Sequence, residues 1–317
     1  MGEFELITRW FQRPARRSPL GSGDDCALLA PRPGMQLAVS TDMLVEGRHF
    51  LSTVDPQRLG HKSLAVNLSD LAACGAQPLA FVLALSLPRV DEAWLDGFAR
   101  GLFALADLHE CELVGGDTTR GPLCISITVF GEVPQGQALL RSGARAGDDL
   151  WASGSFGDAR VALEVFRGKL SLPADAFEAA RLRMEMPTPR VELALALRGI
   201  ATSAIDVSDG LVGDLQHVLA ASRVGATIEA EAAASLLDCA AHVASQSRLD
   251  FVLSGGDDYE LLFTAPPAQR SAVEQAARRC GTRVTRIGRI DAAPGCRVVD
   301  AQGRTLPANF ESFDHFA

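Results

Sequence analysis

Five short clusters in this sequence set aspartate beside Ser, Thr or Gly: Gly21-Ser-Gly-Asp24-Asp25, Ser40-Thr41-Asp42, Asn67-Leu-Ser-Asp70, Gly115-Gly116-Asp117-Thr-Thr119 and Asp206-Val-Ser208-Asp209-Gly210. Each alone has an ordinary structural explanation. A turn aspartate bonds the backbone two residues on, and Asp209 is placed to cap a helix. Together they ask for more. Several follow apolar runs that read as strands, where α/β folds place ligands. Carboxylates gathered in one site repel one another unless cations neutralise them. Short Asp, Ser and Thr oxygens suit a hard cation such as Mg2+, which keeps several waters and bridges to substrate phosphates. None has the form of a calcium-binding EF-hand loop. The spacing points to a magnesium-dependent site that handles phosphate.

The motifs that are missing narrow the chemistry. There is no G-x-x-x-x-G-K-[ST] loop, no H-R-D or D-F-G kinase signature, and no G-x-G-x-x-G after a strand. Gly154-Ser-Phe-Gly157-Asp158 does lead from a strand into a helix. It is either a phosphate-binding turn or a plain connection.

Short apolar or β-branched runs, alternating with helical patterns, must hold these clusters in place. Strands are expected at Gln36–Ser40, Leu79–Leu87, Glu112–Val114, Cys124–Val133, Leu150–Ala152, Thr202–Asp206, Ala226–Glu229, Phe251–Leu253, Glu260–Thr264 and Arg283–Ile290. Helices are expected at Glu3–Phe11, Pro56–Ala73, Asp91–Leu108, Asp158–Arg167, Pro189–Leu197, Gly210–Ala221 and Pro267–Cys280. The fold class is therefore α/β or α+β, with helices flanking sheets. A length of 317 residues suggests two domains at about 150 residues each. The Gly/Arg-rich stretch that starts at Arg141 separates residues 1–140 from residues 141–317.

Hydrophobic residues form 47% of the chain, enough for a sizeable core. Acidic residues outnumber basic ones, 39 to 30, for a formal charge of −9. That balance argues against nucleic acid or an anionic membrane as the main partner. The uncharged stretch from Leu71 to Pro88 is interrupted by Gly75, Gln77 and Pro78, so no membrane span is expected. The acidic start Met1-Gly-Glu-Phe-Glu is unlike a signal peptide. Seven scattered cysteines, without a C-x-x-C pair, fit reduced thiols and a cytoplasmic setting better than disulfides or zinc.

Longer blocks surround the clusters. They are Ser40-Thr-Asp-Met-Leu-Val-Glu-Gly47 with His49-Phe50, Lys62-Ser-Leu-Ala-Val-Asn-Leu-Ser-Asp70, Gly115-Gly-Asp-Thr-Thr-Arg-Gly121, Asp206-Val-Ser-Asp-Gly210, Ser254-Gly-Gly-Asp-Asp-Tyr-Glu-Leu261 and Phe313-Asp-His-Phe316. In this order they closely resemble the bacterial thiamine-monophosphate kinase family, which belongs to the aminoimidazole ribonucleotide synthetase-like superfamily. The resemblance implies two α/β domains, a homodimer formed through the N-terminal domains, and transfer of phosphoryl from ATP to thiamine monophosphate. It implies that several Mg2+ ions are held by Asp24, Ser40, Thr41, Asp42, Asp70, Asp117, Asp206 and Asp209, with Asp42, Asp70, Asp117 and Asp206 central to catalysis. Gly116, Asp117, Arg141 and Ser208 match positions that contact ATP, and His49, Asp257 and Phe313 match positions that contact the thiamine substrate. Asp257 stands where glutamate is common, one methylene shorter. Ser22 and Arg48 replace apolar residues. Outside the resemblance, Tyr259 reads as a core residue and Lys62 as part of a solvated helix face. The alternatives are another ATP-dependent enzyme of the same superfamily, or a magnesium-dependent phosphatase that turns the same carboxylates on water.

Overall fold

The computed structural model describes residues 2–306, so Phe313 lies outside the described residues. The chain divides into two compact units, Met1–Leu71 with Ala76–Gly136, and Ala72–Gly75 with Gln137 onward.

The first unit contains α1 (Glu3–Trp10), β1 (Met35–Val45), α2 (Pro56–Ala73), β2 (Gln77–Leu87), α3 (Glu92–Leu108), β3 (Glu112–Arg120) and β4 (Cys124–Pro134). Local chemistry sets the helix starts. Asp55 Oδ1 accepts the N–H groups of Gln57 and Arg58 at 2.9 and 3.2 Å, and Pro56 supplies a preset φ at the first helical position. Asp91 caps α3 by accepting the Trp94 N–H at 3.2 Å. The sheet runs β1-β4-β2-β3, antiparallel except for the β2–β3 pair that α3 connects. In that pair Leu113 faces Phe81 and Gly115 faces Val82, so Val114 is an extra residue in β3.

The two faces of this sheet differ. Leu44, Leu83, Leu85, Ile125, Ile127 and Val129 share the face that helices cover, and all are buried. On the other face β1 leaves Leu37, Val39, Met43 and Val45 exposed, Val39 by 59%. The period-2 alternation of a strand makes the split, and it decides below where each aspartate points.

The second unit contains β5 (Asp149–Ser153), α4 (Asp158–Phe166), α5 (Ala174–Glu185), α6 (Val191–Leu197), β6 (Ser203–Val207), α7 (Leu211–Ser222), β7 (Gly225–Glu229), α8 (Ala230–Ala234), α9 (Ser245–Ser254), β8 (Glu260–Ala265), α10 (Arg270–Arg279), β9 (Val284–Asp291) and β10 (Gly295–Val299). Its sheet runs β10-β7-β9-β5-β8-β6, with only β10–β7 parallel. Strands β5, β6 and β8 are buried at every position, so they show no alternation. Fully buried Glu260 is neutralised by Arg183 and Arg190, each 2.5 Å from Oε1, while Ser153 donates to Oε2 at 2.6 Å. A buried carboxylate needs such complete pairing.

Several elements depart from expectation. Phe251–Leu253 is the end of α9 and not a strand, because a three-residue apolar run fits either structure. Helix α5 and strand β10 had no clear signal. Strand β3 continues through the paired glycines to Arg120.

Candidate functional site

In the first unit, β1 and α2 bring Ser40, Asp42 and Asp70 together. Asn67 and Asp70, three residues apart, lie on one face of α2. The Ser40 hydroxyl donates to Asp70 Oδ2, and Asn67 Oδ1 accepts the Asp42 backbone N–H at 3.1 Å. Ser40 and Asp42 pair with Val129 and Ile127, which places them on the helix-covered face. Thr41 and Asp117 lie on the opposite, open face. The Thr41 and Thr128 hydroxyls bond one another, and Asp117 pairs with Ala84, which pairs with Ser126 and so with Met43. Five of the expected contact residues are thus on one sheet, Ser40 and Asp42 on one face, Thr41 and Asp117 on the other and Gly116 beside Asp117, while Asp70 meets the first pair from α2.

Gly116 is required by its backbone. Its φ is +149°, and a Cβ there would lie 1.9 Å from the Leu83 carbonyl oxygen. His49 sits in the tight turn after β1, where its Nδ1 accepts the Val45 N–H at 3.0 Å. Lys62 is not on a solvated face: it is 2% exposed, and its ammonium donates to the His49 carbonyl. A lysine can reach a carbonyl in this way because its charge sits at the end of a long apolar stem. Asp24 lies exposed in the segment before β1, where its Oδ1 accepts the Asp25 N–H at 2.8 Å.

In the second unit, two loops meet. Asp206 is the penultimate residue of β6 and is buried. Ser208 and Asp209 follow in the turn before α7, and both N–H groups donate to Asp214 Oδ2 at 3.0 and 3.1 Å. Burial pushes the Asp214 carboxyl up to about 6. The Asp257 N–H donates to the Ser208 carbonyl and the Tyr259 N–H to the Val207 carbonyl, each at 2.8 Å. Gly256 allows this approach, since a Cβ there would meet the Ser208 oxygen at 2.4 Å. Ser208, Asp209 and Asp257 are therefore neighbours. The Arg141 backbone is not among them: its carbonyl accepts from Ser222 at the far end of α7, a helix about 18 Å long.

The turn Gly154–Asp158 is a plain connection. Its N–H groups are used internally, from Gly154 to the Arg283 carbonyl, from Phe156 to the Leu236 carbonyl and from Gly157 to Asp258 Oδ1. Asp258 is 3% exposed, and its Oδ2 has no hydrogen-bond partner among the described residues. Burial, with Asp158 and Glu260 nearby, holds its pKa well above the ordinary 3.8 despite the Gly157 N–H and Arg183. The folded state then binds the Asp258 proton more tightly than the unfolded chain does. Stability falls as pH rises from the unfolded pKa toward the folded one, by at most about 1.4 kcal/mol per pH unit. Asp258→Asn has no proton to lose. Its urea midpoint should gain steadily on the wild type from about pH 4 to pH 7, and parallel curves would contradict a buried neutral carboxyl.

The donor set of the first unit is all oxygen, which fits Mg2+. Asp42 and Asp70 are the carboxylates at hand, with the Ser40 hydroxyl turned onto Asp70. Among the described residues no three His, Cys, Asp or Glu side chains form a ready cage for a metal. Mg2+ does not need one, because it takes one or two carboxylates and completes its shell with water and phosphate. Of the supporting residues, Asn67 and Asp258 belong to motif blocks without a role assigned there, and Asp214 belongs to none. The only signals for their roles were the i, i+3 spacing of Asn67 to Asp70 and an acidic residue in the first turn of α7. Among the described residues no helix is long and apolar enough to cross a membrane.

Comparison with known proteins agrees with this architecture. Residues 23–133 match the N-terminal domain of AIR synthase related proteins, and residues 145–301 match the C-terminal domain. The thiamine-monophosphate kinase of Escherichia coli strain K12 is 46% identical over 324 residues, covering 100% of this chain and 98% of that protein. The Haemophilus influenzae thiamine-monophosphate kinase is 40% identical, with the same two coverages. The crystal structure of thiamine-monophosphate kinase from Stenotrophomonas maltophilia K279a superposes with a TM-score of 0.85 at 45% identity, covering 96% of each chain. AaThiL complexed with AMPPCP and TMP gives a TM-score of 0.77 at 28% identity, covering 90% of this chain and 89% of that one. With two matched domains and such identity along its whole length, the chain belongs to the thiamine-monophosphate kinase family and has the two-domain AIR synthase-like fold.

Proposed function

We propose that the protein transfers the γ-phosphoryl group of ATP directly, in line, to the phosphate of thiamine monophosphate, giving ADP and thiamine diphosphate on a site holding several Mg2+ ions. The observation that carries this is 46% identity with the Escherichia coli thiamine-monophosphate kinase over the whole chain. The AaThiL complex with AMPPCP and TMP supports two phosphate-bearing ligands held at once.

The nucleophile is a phosphate oxygen, already ionised near neutral pH, so no side chain has to remove a proton. The demand on the protein is to align two anions that repel and to offset charge on the moving group. Mg2+, when bound, supplies that neutralisation and a template for the phosphate oxygens. Asp42, Asp70, Asp117 and Asp206 are the carboxylates assigned to hold it, with Asp24, Asp209, Ser40 and Thr41. Gly116 and Asp117 on β3 are assigned to the nucleotide, with Ser208 and Arg141, whose backbones lie at opposite ends of α7, as the other ATP contacts. His49, Asp257 and Phe313 take the thiamine end. Residues 1–140 form the domain that binds nucleotide and metal and joins a second copy, and residues 141–317 form the other domain. The exposed row Leu37, Val39, Met43 and Val45 supports the homodimer, since a monomer rarely leaves a whole apolar strand face in water.

Chromatography of a reaction with Mg-ATP and thiamine monophosphate tests the proposal. Thiamine diphosphate should form, EDTA should abolish it and added Mg2+ should restore it. Release of inorganic phosphate alone would favour the phosphatase, and full turnover in chelator would remove the metal from the mechanism.

A further inference from the structure

We propose that Tyr259 is a positioning residue, whose phenol hydroxyl holds the Asp257 carboxylate in the orientation that meets the thiamine substrate. This rests on the activity proposed above. Tyr259 is the sole tyrosine of the chain, and sequence alone suggests a core role for it. Its hydroxyl instead donates to Asp257 Oδ1 at 3.2 Å.

The surrounding backbone supports the assignment. Asp257 and Tyr259 both have left-handed φ values, +66° and +49°. Two such residues within three positions persist only where the surroundings hold them, and that is the case here. The Asp257 and Tyr259 N–H groups are fixed on the Ser208 and Val207 carbonyls at the end of β6. Between them, the Asp258 side chain anchors the loop to the Gly157 N–H at the start of α4, at 2.9 Å. Three successive residues are thus tied to two different elements. With the backbone under Asp257 fixed, the Tyr259 hydroxyl adds a restraint on its side-chain torsions. Restraint matters for a side chain as short as aspartate, which has little reach to correct a poor orientation.

Tyr259→Phe removes the hydroxyl and keeps the ring. Loss of a hydrogen bond to a charged group should raise KM for thiamine monophosphate about tenfold. The ATP KM and kcat should stay within about twofold, and the melting temperature should not move. In an Asp257→Ala background the same substitution should have no further effect, since nothing remains to be oriented. An unchanged thiamine monophosphate KM would overturn the proposal. So would an equal loss in both backgrounds, or a lower melting temperature with both KM values moving in parallel. A wild type that makes no thiamine diphosphate would overturn the proposed activity, and this inference with it. An active wild type with an indifferent Phe variant would overturn the inference alone.

Discussion

Asp70→Asn is expected to lower kcat for thiamine diphosphate formation by about three orders of magnitude, with a melting temperature no lower than that of the wild type. Asparagine keeps the size of the side chain and an oxygen that can accept the Ser40 hydroxyl, so the α2–β1 contact survives. What disappears is negative charge, beside Asp42 on the same face. Removing it relieves repulsion in the protein alone and weakens the grip on Mg2+ when metal and phosphate are present. Steady-state kinetics at saturating Mg-ATP, with a thermal melt of the same sample, checks both halves. Turnover within about threefold of wild type would take Asp70 out of the machinery.

Gly116→Ala should damage the fold itself. The added Cβ would lie 1.9 Å from the Leu83 carbonyl oxygen, part of the backbone of a central strand that cannot swing aside, and the φ of +149° is one that alanine avoids. A loss of about 3 kcal/mol or more follows, or a melting temperature lower by about 10 °C. Gly115→Ala is the control. There the Cβ would meet only Val82 Cγ1 at 3.7 Å, an ordinary contact, so stability should barely change. Calorimetry on the pair separates a position-specific requirement from a general dislike of side chains in β3. Equal melting temperatures for the two variants would contradict the geometry.

Much of this was legible in the sequence, for identifiable reasons. Helix α2 was expected at Pro56–Ala73 and is found there, because proline at its start and a long apolar pattern both mark it. Strand β1 was expected to stop at Ser40 but runs to Val45, since Thr41 and Asp42 read as loop ligands when they are strand residues with opposite facing. The division of Asp42 and Asp117 between two faces depends on which strands pair, and sequence spacing does not reveal that pairing. Lys62 was expected in water because lysine usually is, and only tertiary structure supplies the His49 carbonyl that receives it. Motif blocks single out Thr41, Asp42, Asp70 and Gly116, and the structure adds where each one lies. The roles of Asn67, Asp214 and Asp258 escape a sequence reading because they accept backbone N–H groups, and an aspartate or asparagine that does so looks in sequence like any other.

The strand order β1-β4-β2-β3 also dictates how this protein can be made. Among the described residues strand β1 pairs with β4 alone, which the ribosome delivers about 80 to 100 residues later. At 5–20 residues per second that is about 4 to 20 s of translation. Throughout it, Leu37, Val39, Met43, Leu44 and Val45 travel as an unpaired apolar strand, ahead of the β2–β3 hairpin-free crossover and with both backbone edges open. A nascent segment of this kind is a natural client for a chaperone that grips short extended peptides. Rapid overexpression, which crowds many such chains together before β4 appears, should drive the protein toward inclusion bodies, and slower synthesis at low temperature should rescue it.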